Sequence, residues 1–565
     1  MINFKDYIAQ KLDLPLSKQE IANLIVKTQD ESKGDYSLPC FRFAKELRMA
    51  PQVIASNLAS QLAQDEFIAS AEAVNGYLNV FLKKSATVVN VIDEINRQGD
   101  SFGSSTEGNG KTICIDYSSV NIAKSLHIGH LGTTAIGNSL YKLYQNLGYN
   151  VVGINHLGDY GTQFGKMIVA YKLWGDDDKI KQGGAKALQD IYVKYHVEAE
   201  TNPALDDEAR QWFVKIEKGD PEATRLFNYF KQITLDDVNK TYKRLNVTFD
   251  SWNGESFYND KMERPLQMLD DAGIITESQG AKVVDLEPYN MPPCLLVKSD
   301  GSSLYATRDL AAALYRKETY NFDKCLYVVA YQQTLHFKQL FKVLELAGFD
   351  WAKDMVHVSY GMVSLEEGAM STRKGNTVFL EDVIERAVAK SYEIICSKNP
   401  NLPNKQQIAE QVGVGAVIFS AVENARIKDI TFTFDRVLNF EGETAPYLQY
   451  THARCNSIIN KAGIGALAKI VPNEGALDNA ETLSLAKLLG AFPQIAKDAA
   501  TKYEPSILSK YLIDLAQSFN RFYIAHRVIG DDLATTKARI NVVTATKTVL
   551  KNGLKLLGID APEQM

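Results

Sequence analysis

The sequence predicts an α/β protein with an added helical region, and its central element is a doubly wound parallel sheet. Two blocks in which strand, helix and strand patterns alternate predict this sheet, and a long stretch of chain separates them. After about residue 405 the sequence is rich in Ala and Leu and has few strand-like runs, which predicts helices. With 565 residues the chain exceeds the size of one hydrophobic core, so we expect several domains.

A small α/β domain is predicted at the N-terminus, over residues 1–105. Phe4, Ile8 and Leu12 recur at helical spacing and give the first helix one apolar face. The alternating run "GYLNVFL", residues 76–82, predicts a strand. Residues 97–111 are rich in Gly, Ser and charged residues, and they are predicted to link this domain to the next.

The doubly wound, Rossmann-like domain is predicted over residues 106–404, with an insertion at about 165–300. Its first block consists of the strand "TICIDY", a helix that Gly148 terminates, and the strand "YNVVGIN". The second block consists of "CLYVVA", a helix that Gly348 terminates, and "MVHVSYG". Connections through a helix join parallel strands, so both blocks belong in one parallel sheet. The third domain, residues 405–565, is predicted to be all-helical.

Composition excludes several classes of protein. Hydrophobic residues make up 45% of the chain, and no segment approaches the ~20 apolar residues of a membrane helix. The N-terminal sequence has no basic region followed by an apolar one, so it does not resemble a secretory signal. Most of the cysteines have apolar neighbours, which indicates reduced core thiols in a cytoplasmic protein. The six cysteines are too far apart for a zinc site or a redox pair. The net charge of −6 opposes a surface that binds nucleic acid everywhere, but it permits a local basic or aromatic face.

The segment "NIAKSLHIGHLG", residues 121–132, lies between the first predicted strand and its helix. Ligands bind parallel sheets at this edge, and the start of a helix attracts anions. His127 and His130 can both face such an anion, Lys124 adds a positive charge, and Gly129 allows close approach to the backbone. A triphosphate satisfies all of these features, whereas the alternative is a polar loop with two histidines by chance. The acidic stretches 175–179 and 200–212 of the insertion are not expected to face phosphates.

Two motifs in this order resemble those of the class I aminoacyl-tRNA synthetases. The first is "HIGH" after the first strand, and the second is "AMSTRKGN", residues 369–376, where this class has Lys-Met-Ser-Lys-Ser. Ala369 and Thr372 stand in place of the two lysines, with Arg373 and Lys374 displaced beyond them. This departure resembles the arginyl-tRNA synthetases, whose second motif is often degenerate and which carry a lysine before the first motif, as Lys124 does here. Further segments similar to that family are "KGDYS", "HLGDYGTQFG", "LYATRDLAAALYR", "QQTLHFKQLF", "FEGETAPYLQY" and "AQSFNRFY".

The resemblance implies that the protein joins arginine to tRNA(Arg) in two steps. Arginine attacks the α-phosphorus of ATP and expels pyrophosphate, and the adenylate then passes its arginyl group to the 3′ end of the tRNA. The implied cofactor is Mg²⁺ bound with ATP, without zinc, and the implied protein is a monomer. The residues implied in catalysis are His127, His130, Lys124, Arg373 and Lys374, and those implied in ATP binding are His127, Gly129, His130, Met370 and Ser371.

Arginine recognition requires carboxylates that can pair with a planar five-donor fork. The residues that the resemblance assigns to arginine are Ser119, Asn121, Glu255, Tyr305, Asp309 and Gln333. Tyr305 and Asp309 are four residues apart and share one face of a predicted helix. Asp309 could instead pair with Arg308 or Arg316 on its own helix, and Glu255 and Gln333 could be ordinary surface residues.

Two regions are implied in tRNA binding. Tyr77 and Asn79 match residues that contact the D-loop, although periodicity alone indicates only an exposed strand. The residues expected to meet the anticodon are Tyr447, Gln449, Tyr450, His452 and Arg454. The alternative is an amphipathic core helix with inward-facing tyrosines. Two other functions remain open, a small-molecule adenylyltransferase that shares "HIGH" and a catalytically silent paralogue that binds RNA.

Overall fold

The computed structural model describes residues 3–28, 30–63, 65–299, 305–365, 378–463 and 474–565. The chain divides into two compact units. The first comprises residues 1–102, 451–493 and 514–552, and the second comprises residues 103–450, 494–513 and 553–565. The boundary at residue 102 falls inside the predicted linker.

Helices predominate among the elements of the described ranges. The α-helices are Phe4–Lys11, Lys18–Leu24, Ala44–Leu47, Pro51–Gln61, Lys84–Gln98, His130–Asn146, Gln163–Trp174, Asp177–Ala199, Ala204–Glu217, Pro221–Arg244, Glu263–Asp271, Tyr305–Tyr320, Thr334–Leu346, Leu380–Lys398, Lys405–Val422, Phe434–Val437, Ala445–Ala462, Glu474–Leu477, Ala480–Thr501, Ser506–Ala525 and Leu533–Leu556. The β-strands are Val26–Lys27, Tyr36–Pro39, Ile68–Val74, Tyr77–Leu82, Thr112–Asp116, Asn150–Ile154, Ile275–Ser278, Ala281–Val284, Cys294–Val297, Lys324–Tyr327, Met355–His357, Val363–Leu365 and Ile430–Phe432.

The N-terminal residues form the small α/β structure that the sequence predicts. Four antiparallel strands lie in the order Val26–Lys27, Tyr36–Pro39, Tyr77–Leu82 and Ile68–Val74. Helices cover the sheet, and Phe4, Ile8 and Leu12 belong to their common core. The predicted helix and the predicted strand at 76–82 are therefore both confirmed.

The second unit is organised around a parallel sheet. Its four strands lie in the order Met355–His357, Lys324–Tyr327, Thr112–Asp116 and Asn150–Ile154, and every neighbouring pair is parallel. Both predicted strand–helix–strand blocks therefore share one sheet. Because the strands are parallel, the loops after their carboxyl ends meet at one edge, where ligands bind in such sheets.

Two glycines end the helices that connect these strands, as predicted. Gly148 follows the helix His130–Asn146 with φ +84°, and Gly348 follows Thr334–Leu346 with φ +85°. These left-handed values suit glycine, which has no side chain to clash with the preceding turn. The predicted insertion contains four long helices between residues 163 and 244, followed by a three-stranded antiparallel sheet between residues 275 and 297.

The described residues after 405 are helical, as predicted, with one exception. The short strand Ile430–Phe432 pairs in parallel with Val363–Leu365. Period-based reasoning missed it because three residues are too few to show an alternating pattern. The six cysteines carry free thiols, and five of them are buried. No helix within the described ranges is both long and apolar enough to span a membrane.

Candidate active site

The candidate site is built on residues 117–129, the loop between the strand Thr112–Asp116 and the helix His130–Asn146, which we call the histidine loop. Three of its non-glycine residues have positive φ: Ser118 (70°), Ser119 (48°) and Ala123 (61°). Such conformations cost about 1–3 kcal/mol each, and surrounding contacts must maintain them. The Ser118 N–H donates to Thr133 Oγ1 at 2.9 Å, and the Val120 N–H donates to Asn155 Oδ1 at 3.3 Å.

The two histidines lie side by side at the start of the helix. Their ring centroids are 3.9 Å apart. The Gly129 N–H donates to His127 Nδ1 at 3.1 Å, and the His127 N–H donates to His130 Nδ1 at 3.1 Å. His130 Nδ1 also lies 3.3 Å from the His127 carbonyl oxygen, but the shorter contact assigns Nδ1 as an acceptor. Both rings therefore carry their proton on Nε2 and can donate it to a bound anion.

Electrostatics keep these rings neutral. Burial, followed by the charge of Lys124, lowers the pKa of His127 to about 4. Burial lowers the pKa of His130 to about 3, with further effects from His127 and Lys124. The pair therefore offers uncharged N–H donors at neutral pH, and the positive charge of the loop comes from Lys124. The helix behind them adds its positive dipole end.

The segment that follows the second motif is paired with the histidine loop. The Ile128 N–H donates to the Val378 carbonyl at 3.0 Å, and the Leu380 N–H donates to the Leu126 carbonyl at 2.9 Å. Residues 378 and 380 therefore lie beside the loop that carries the two histidines. The predicted residues Met370, Ser371, Arg373 and Lys374, and the substituted positions Ala369 and Thr372, lie outside the described residues.

Asp309 lies between two histidines. The Nε2 atom of His336 is 2.7 Å from Asp309 Oδ2, and the Nε2 atom of His156 is 4.0 Å from Asp309 Oδ1. Arg308 and Arg316 pair with other carboxylates, so the alternative of an intrahelical partner for Asp309 is wrong. Tyr305 stands one helical turn before Asp309, and the charge of Asp309, more than burial, raises the pKa of the Tyr305 hydroxyl.

Glu255 is a largely buried carboxylate rather than a surface residue. One of its oxygens lies 3.5 Å from Arg308 Nη1, and the Arg308 guanidinium stacks over the Tyr160 ring at 4.1 Å. Burial raises the pKa of Glu255 to about 7, although Arg308 lowers it. The nearby charges of Asp309 and Asp159 act in the same direction as burial. A second cation would therefore stabilise the ionised form of Glu255.

A buried ion pair, which the sequence analysis did not predict, contacts one of the histidines beside Asp309. Arg316 Nη2 lies 2.7 Å from Asp116 Oδ2, and both side chains are almost fully buried. Arg316 Nη2 also lies 3.3 Å from His156 Nδ1, so His156 carries its proton on Nε2, which faces Asp309. Arg316 and His156 are 160 residues apart in sequence, and Asp116 is more distant still, so local spacing gave no signal for these contacts.

The other residues predicted to bind arginine lie at the same edge of the sheet. The Ser119 hydroxyl donates to Asp116 Oδ1 at 3.0 Å. Asn121 pairs with Gly158, where a Cβ would lie 2.1 Å from Asn121 Oδ1, so this approach requires glycine. Gln333 ends a short 3₁₀ helix that follows the strand Lys324–Tyr327, and its side chain is exposed. These roles remain predictions.

The residues predicted to contact RNA differ in exposure. Tyr77 is 43% exposed and packs edge-on against Phe41, whereas Asn79 is buried and accepts a hydrogen bond from the Ser37 hydroxyl. Tyr450 is exposed, and Tyr447 and Arg454 are half-buried. Gln449 and His452 are fully buried, which opposes a direct contact with RNA.

The Gln449 amide binds the carbonyls of Gln411 and Asp560, at 3.0 and 2.8 Å, so its donors already have protein partners. The sequence analysis did not identify the exposed aromatic and apolar surface on the helix Ser506–Ala525. On this helix Tyr523 is 37% exposed and Ile524 is 85% exposed. The Arg454 guanidinium lies 5.2 Å from the Tyr523 ring centroid and donates to Asn520 Oδ1 at 3.2 Å.

Comparison with known proteins agrees with this arrangement. A family model described as "tRNA synthetases class I (R), catalytic domain" matches residues 92–434. An "Arginyl tRNA synthetase N terminal domain" matches residues 3–82, and a "DALR anticodon binding domain" matches residues 448–565. The fold and the site thus define a class I aminoacyl-tRNA synthetase.

Similar proteins identify the family within that class. An arginine–tRNA ligase of Alkaliphilus metalliredigens is 49% identical, and the match covers 100% of both chains. One from Clostridioides difficile is 50% identical, with 97% of each chain covered. The solved arginyl-tRNA synthetase of Thermus thermophilus superposes with a TM-score of 0.78 at 28% identity, covering 100% of this chain and 99% of that one. The chain belongs to the arginyl-tRNA synthetase family, as its motifs predicted.

Proposed function

We propose that this protein activates arginine with ATP and transfers it to tRNA(Arg). The observation that carries the proposal is the pairing of two chemically opposite sites at one sheet edge. The histidine loop offers N–H donors and Lys124 to phosphates, and Asp309 and Glu255 offer carboxylates to a guanidinium. A small-molecule adenylyltransferase would not need the anticodon-binding region that matches residues 448–565.

On the phosphate side, His127 and His130 donate from Nε2 to oxygens of the pentacoordinate α-phosphorus. Lys124 neutralises the leaving pyrophosphate, together with Arg373 and Lys374 of the second motif. Met370, Ser371 and Gly129 lie against ATP in this proposal. Charge that develops during the reaction is best stabilised by groups that are already oriented. The held tautomers of the two histidines supply such groups.

Mg²⁺ is expected to arrive as part of the ATP complex. The described residues contain no group of three or more His, Cys, Asp or Glu side chains placed to hold a metal ion. Mg²⁺ is usually bound largely through substrate phosphates and water. The protein's own contribution is therefore orientation and charge around the phosphates.

On the arginine side, Asp309 and Glu255 accept the guanidinium, and Tyr305 borders it. Ser119, Asn121 and Gln333 hold the α-amino and carboxylate ends. His336 orients Asp309 through its Oδ2 atom and leaves Oδ1 for the substrate. A lysine ammonium would leave acceptors without partners in this site, so arginine is selected by its five donors.

The tRNA is expected to meet two surfaces. Tyr77 and Phe41 form an exposed aromatic pair in the N-terminal domain, residues 1–105. Tyr523 and Ile524, which are exposed, and the half-buried Arg454 form a second set in the helical domain, residues 405–565. Aromatic rings beside a guanidinium suit unstacked anticodon bases. We further propose that the protein acts as a monomer in the cytoplasm.

The test is ATP–pyrophosphate exchange with each amino acid in turn, with and without tRNA(Arg). Exchange that depends on arginine, together with charging of tRNA(Arg), supports the proposal. Exchange with another small acid and no tRNA charging would identify an adenylyltransferase. The absence of exchange with every amino acid, with tRNA binding retained, would identify a silent RNA-binding protein.

The anticodon surface has its own test. Tyr523→Ala should raise the KM for tRNA, because base stacking contributes ~1–3 kcal/mol per base. Tyr392→Ala replaces a tyrosine of similar exposure on the helix Leu380–Lys398 and serves as the control. Equal tRNA KM values for the two variants would show that Tyr523 does not contribute to tRNA binding.

A further inference from the structure

The insertion between the two halves of the sheet contacts the histidine loop on both sides of Lys124. We propose that three of its side chains, Gln189, Tyr192 and Thr234, position Lys124 for the phosphates. The inference rests on the proposed function, in which Lys124 supplies the charge that the second motif lacks. It assigns the helical insertion a part in activation, although the insertion contributes none of the residues predicted to touch ATP.

Thr234 anchors the residue before Lys124. The Ala123 N–H donates to Thr234 Oγ1 at 2.9 Å, and Thr234 in turn donates to the Phe230 carbonyl of its own helix, Pro221–Arg244. Thr234 is fully buried, so water cannot replace it. Ala123 has φ +61°, a conformation that non-glycine residues avoid without support. The threonine hydroxyl therefore stabilises the unusual turn from which Lys124 extends.

Gln189 anchors the residue after Lys124. The Ser125 N–H donates to Gln189 Oε1 at 3.3 Å, and Gln189 lies buried on the helix Asp177–Ala199. Three residues further along that helix, the Tyr192 ring lies 5.7 Å from Lys124 Nζ. An aromatic face attracts an ammonium without neutralising it. The backbone on each side of Lys124 and its charged end thus all contact the insertion.

All three contacts come from uncharged side chains, although the insertion is rich in acidic residues. One of its carboxylates, Asp206, pairs with Lys166 at 2.9 Å. A carboxylate in place of Tyr192 would compete with phosphate for Lys124, whereas an aromatic ring adds no negative charge beside it.

The test is a double-mutant cycle between Thr234→Val and Lys124→Met, measured by arginine-dependent ATP–pyrophosphate exchange. Thr234→Val keeps the shape but leaves the buried Ala123 N–H without an acceptor, so kcat should fall ~10-fold. In the Lys124→Met background the same change should lower kcat less than ~2-fold, because the lysine that it positions is gone. Thr234→Ser keeps the hydroxyl and should retain most of the activity.

A second pair of variants avoids the fully buried position. Tyr192→Phe keeps the ring and should match the wild type, whereas Tyr192→Leu should lower kcat with little change in arginine KM. If Thr234→Val lowered kcat equally with Lys124 present and in the Lys124→Met background, the proposal would be overturned. It would also be overturned if Thr234→Ser lost as much activity as Thr234→Val, or Tyr192→Phe as much as Tyr192→Leu. Melting temperatures of all variants separate lost positioning from lost folding.

Calorimetric titration of ATP into the four proteins of the cycle distinguishes this inference from the proposed function. ATP binding requires no turnover, so it reports on Lys124 even in a protein that does not activate arginine. Non-additive losses of ATP affinity would support the inference, and additive losses would contradict it. Failure of the wild type to exchange pyrophosphate with arginine would instead contradict the proposed function.

Discussion

The proposed phosphate side and the proposed arginine side of the candidate site lie at the same sheet edge but are constructed in opposite ways. In the histidine loop, backbone N–H groups hold the imidazole rings of His127 and His130. Burial lowers the pKa values of both rings and keeps them neutral. The arginine side holds carboxylates whose partners are other side chains, such as His336 with Asp309 and Arg308 with Glu255. A site for anions is thus built largely from dipoles, and a site for a cation from ionised groups.

This difference has a physical reason. A phosphate chain carries its own strong charge, so oriented N–H donors and one lysine suffice to stabilise it. The site must discriminate arginine from lysine and from neutral analogues, and this discrimination requires buried charged groups. Buried charge is costly unless it is paired, so the arginine side needs internal partners before its substrate arrives. We therefore expect the arginine side to be the more sensitive of the two to mutation and to pH.

The largest effect is expected for Asp309→Asn. The amide keeps the shape but removes the charge and places a donor opposite the donors of the guanidinium. Removing one partner of a buried pair costs about 3–5 kcal/mol, and we expect this loss in the arginine KM, with the ATP KM little changed. The measurement is pyrophosphate exchange with arginine, canavanine, citrulline and lysine as competitors.

The exposed Asp350 provides a matched control, because Asp350→Asn removes the same charge away from the site. If Asp309→Asn had a wild-type arginine KM, or if its only loss were in ATP binding, Asp309 would not bind arginine. Its role would then be the structural contact with His336.

Next in size is the effect of Lys124→Ala on the phosphate side. Loss of one preorganised charged donor should cost about 2–4 kcal/mol of transition-state stabilisation. Arginine KM should change less, because the charge that Lys124 meets develops on the leaving pyrophosphate. The kinetics of Lys374→Ala supply the comparison. If Lys124→Ala exchanged pyrophosphate almost normally and Lys374→Ala were severely impaired, the main charge on the leaving pyrophosphate would be assigned to Lys374 instead of Lys124.

A smaller effect is expected from pH on the arginine side. The pKa of Glu255 is about 7 in the unliganded protein, raised mainly by burial, so its ionised fraction falls as the pH drops below 7. Only the ionised form pairs with a guanidinium. Arginine KM should therefore rise up to about tenfold per pH unit below 7. Glu255→Gln should bind arginine more weakly and lose this pH dependence, and a pH profile that survives the substitution would assign the titration to another group.

The smallest effect is expected from pH on the phosphate side. With pKa values of about 4 and 3, His127 and His130 are neutral throughout the range in which Glu255 titrates. The ATP KM, corrected for the titration of ATP itself, should stay constant while the arginine KM changes. An ATP KM that falls as the pH drops below 7 would show that the histidines become cations in this range, and it would remove the contrast between the two sides.

Local sequence determined the framework of both sides. Short β-branched runs, helical periodicity and terminal glycines are governed by neighbouring residues, and the structure contains both predicted strand–helix–strand blocks. The histidine pair was also recognisable, because a strand-to-helix turn at a parallel sheet edge is a known anion site. The strand Ile430–Phe432 was not recognisable, since its partner Val363–Leu365 is remote in sequence.

The sequence by itself therefore determined the parallel sheet, the motif loop and the family to which the chain belongs. Only the tertiary structure decided which charges pair, as in Arg316 with Asp116, and which predicted residues are buried, as Gln449 is. It also decided that Thr234, 111 residues away, holds the turn before Lys124. The physical reason is that backbone patterns depend on adjacent residues, whereas pairing and burial depend on which distant surfaces come together when the chain folds.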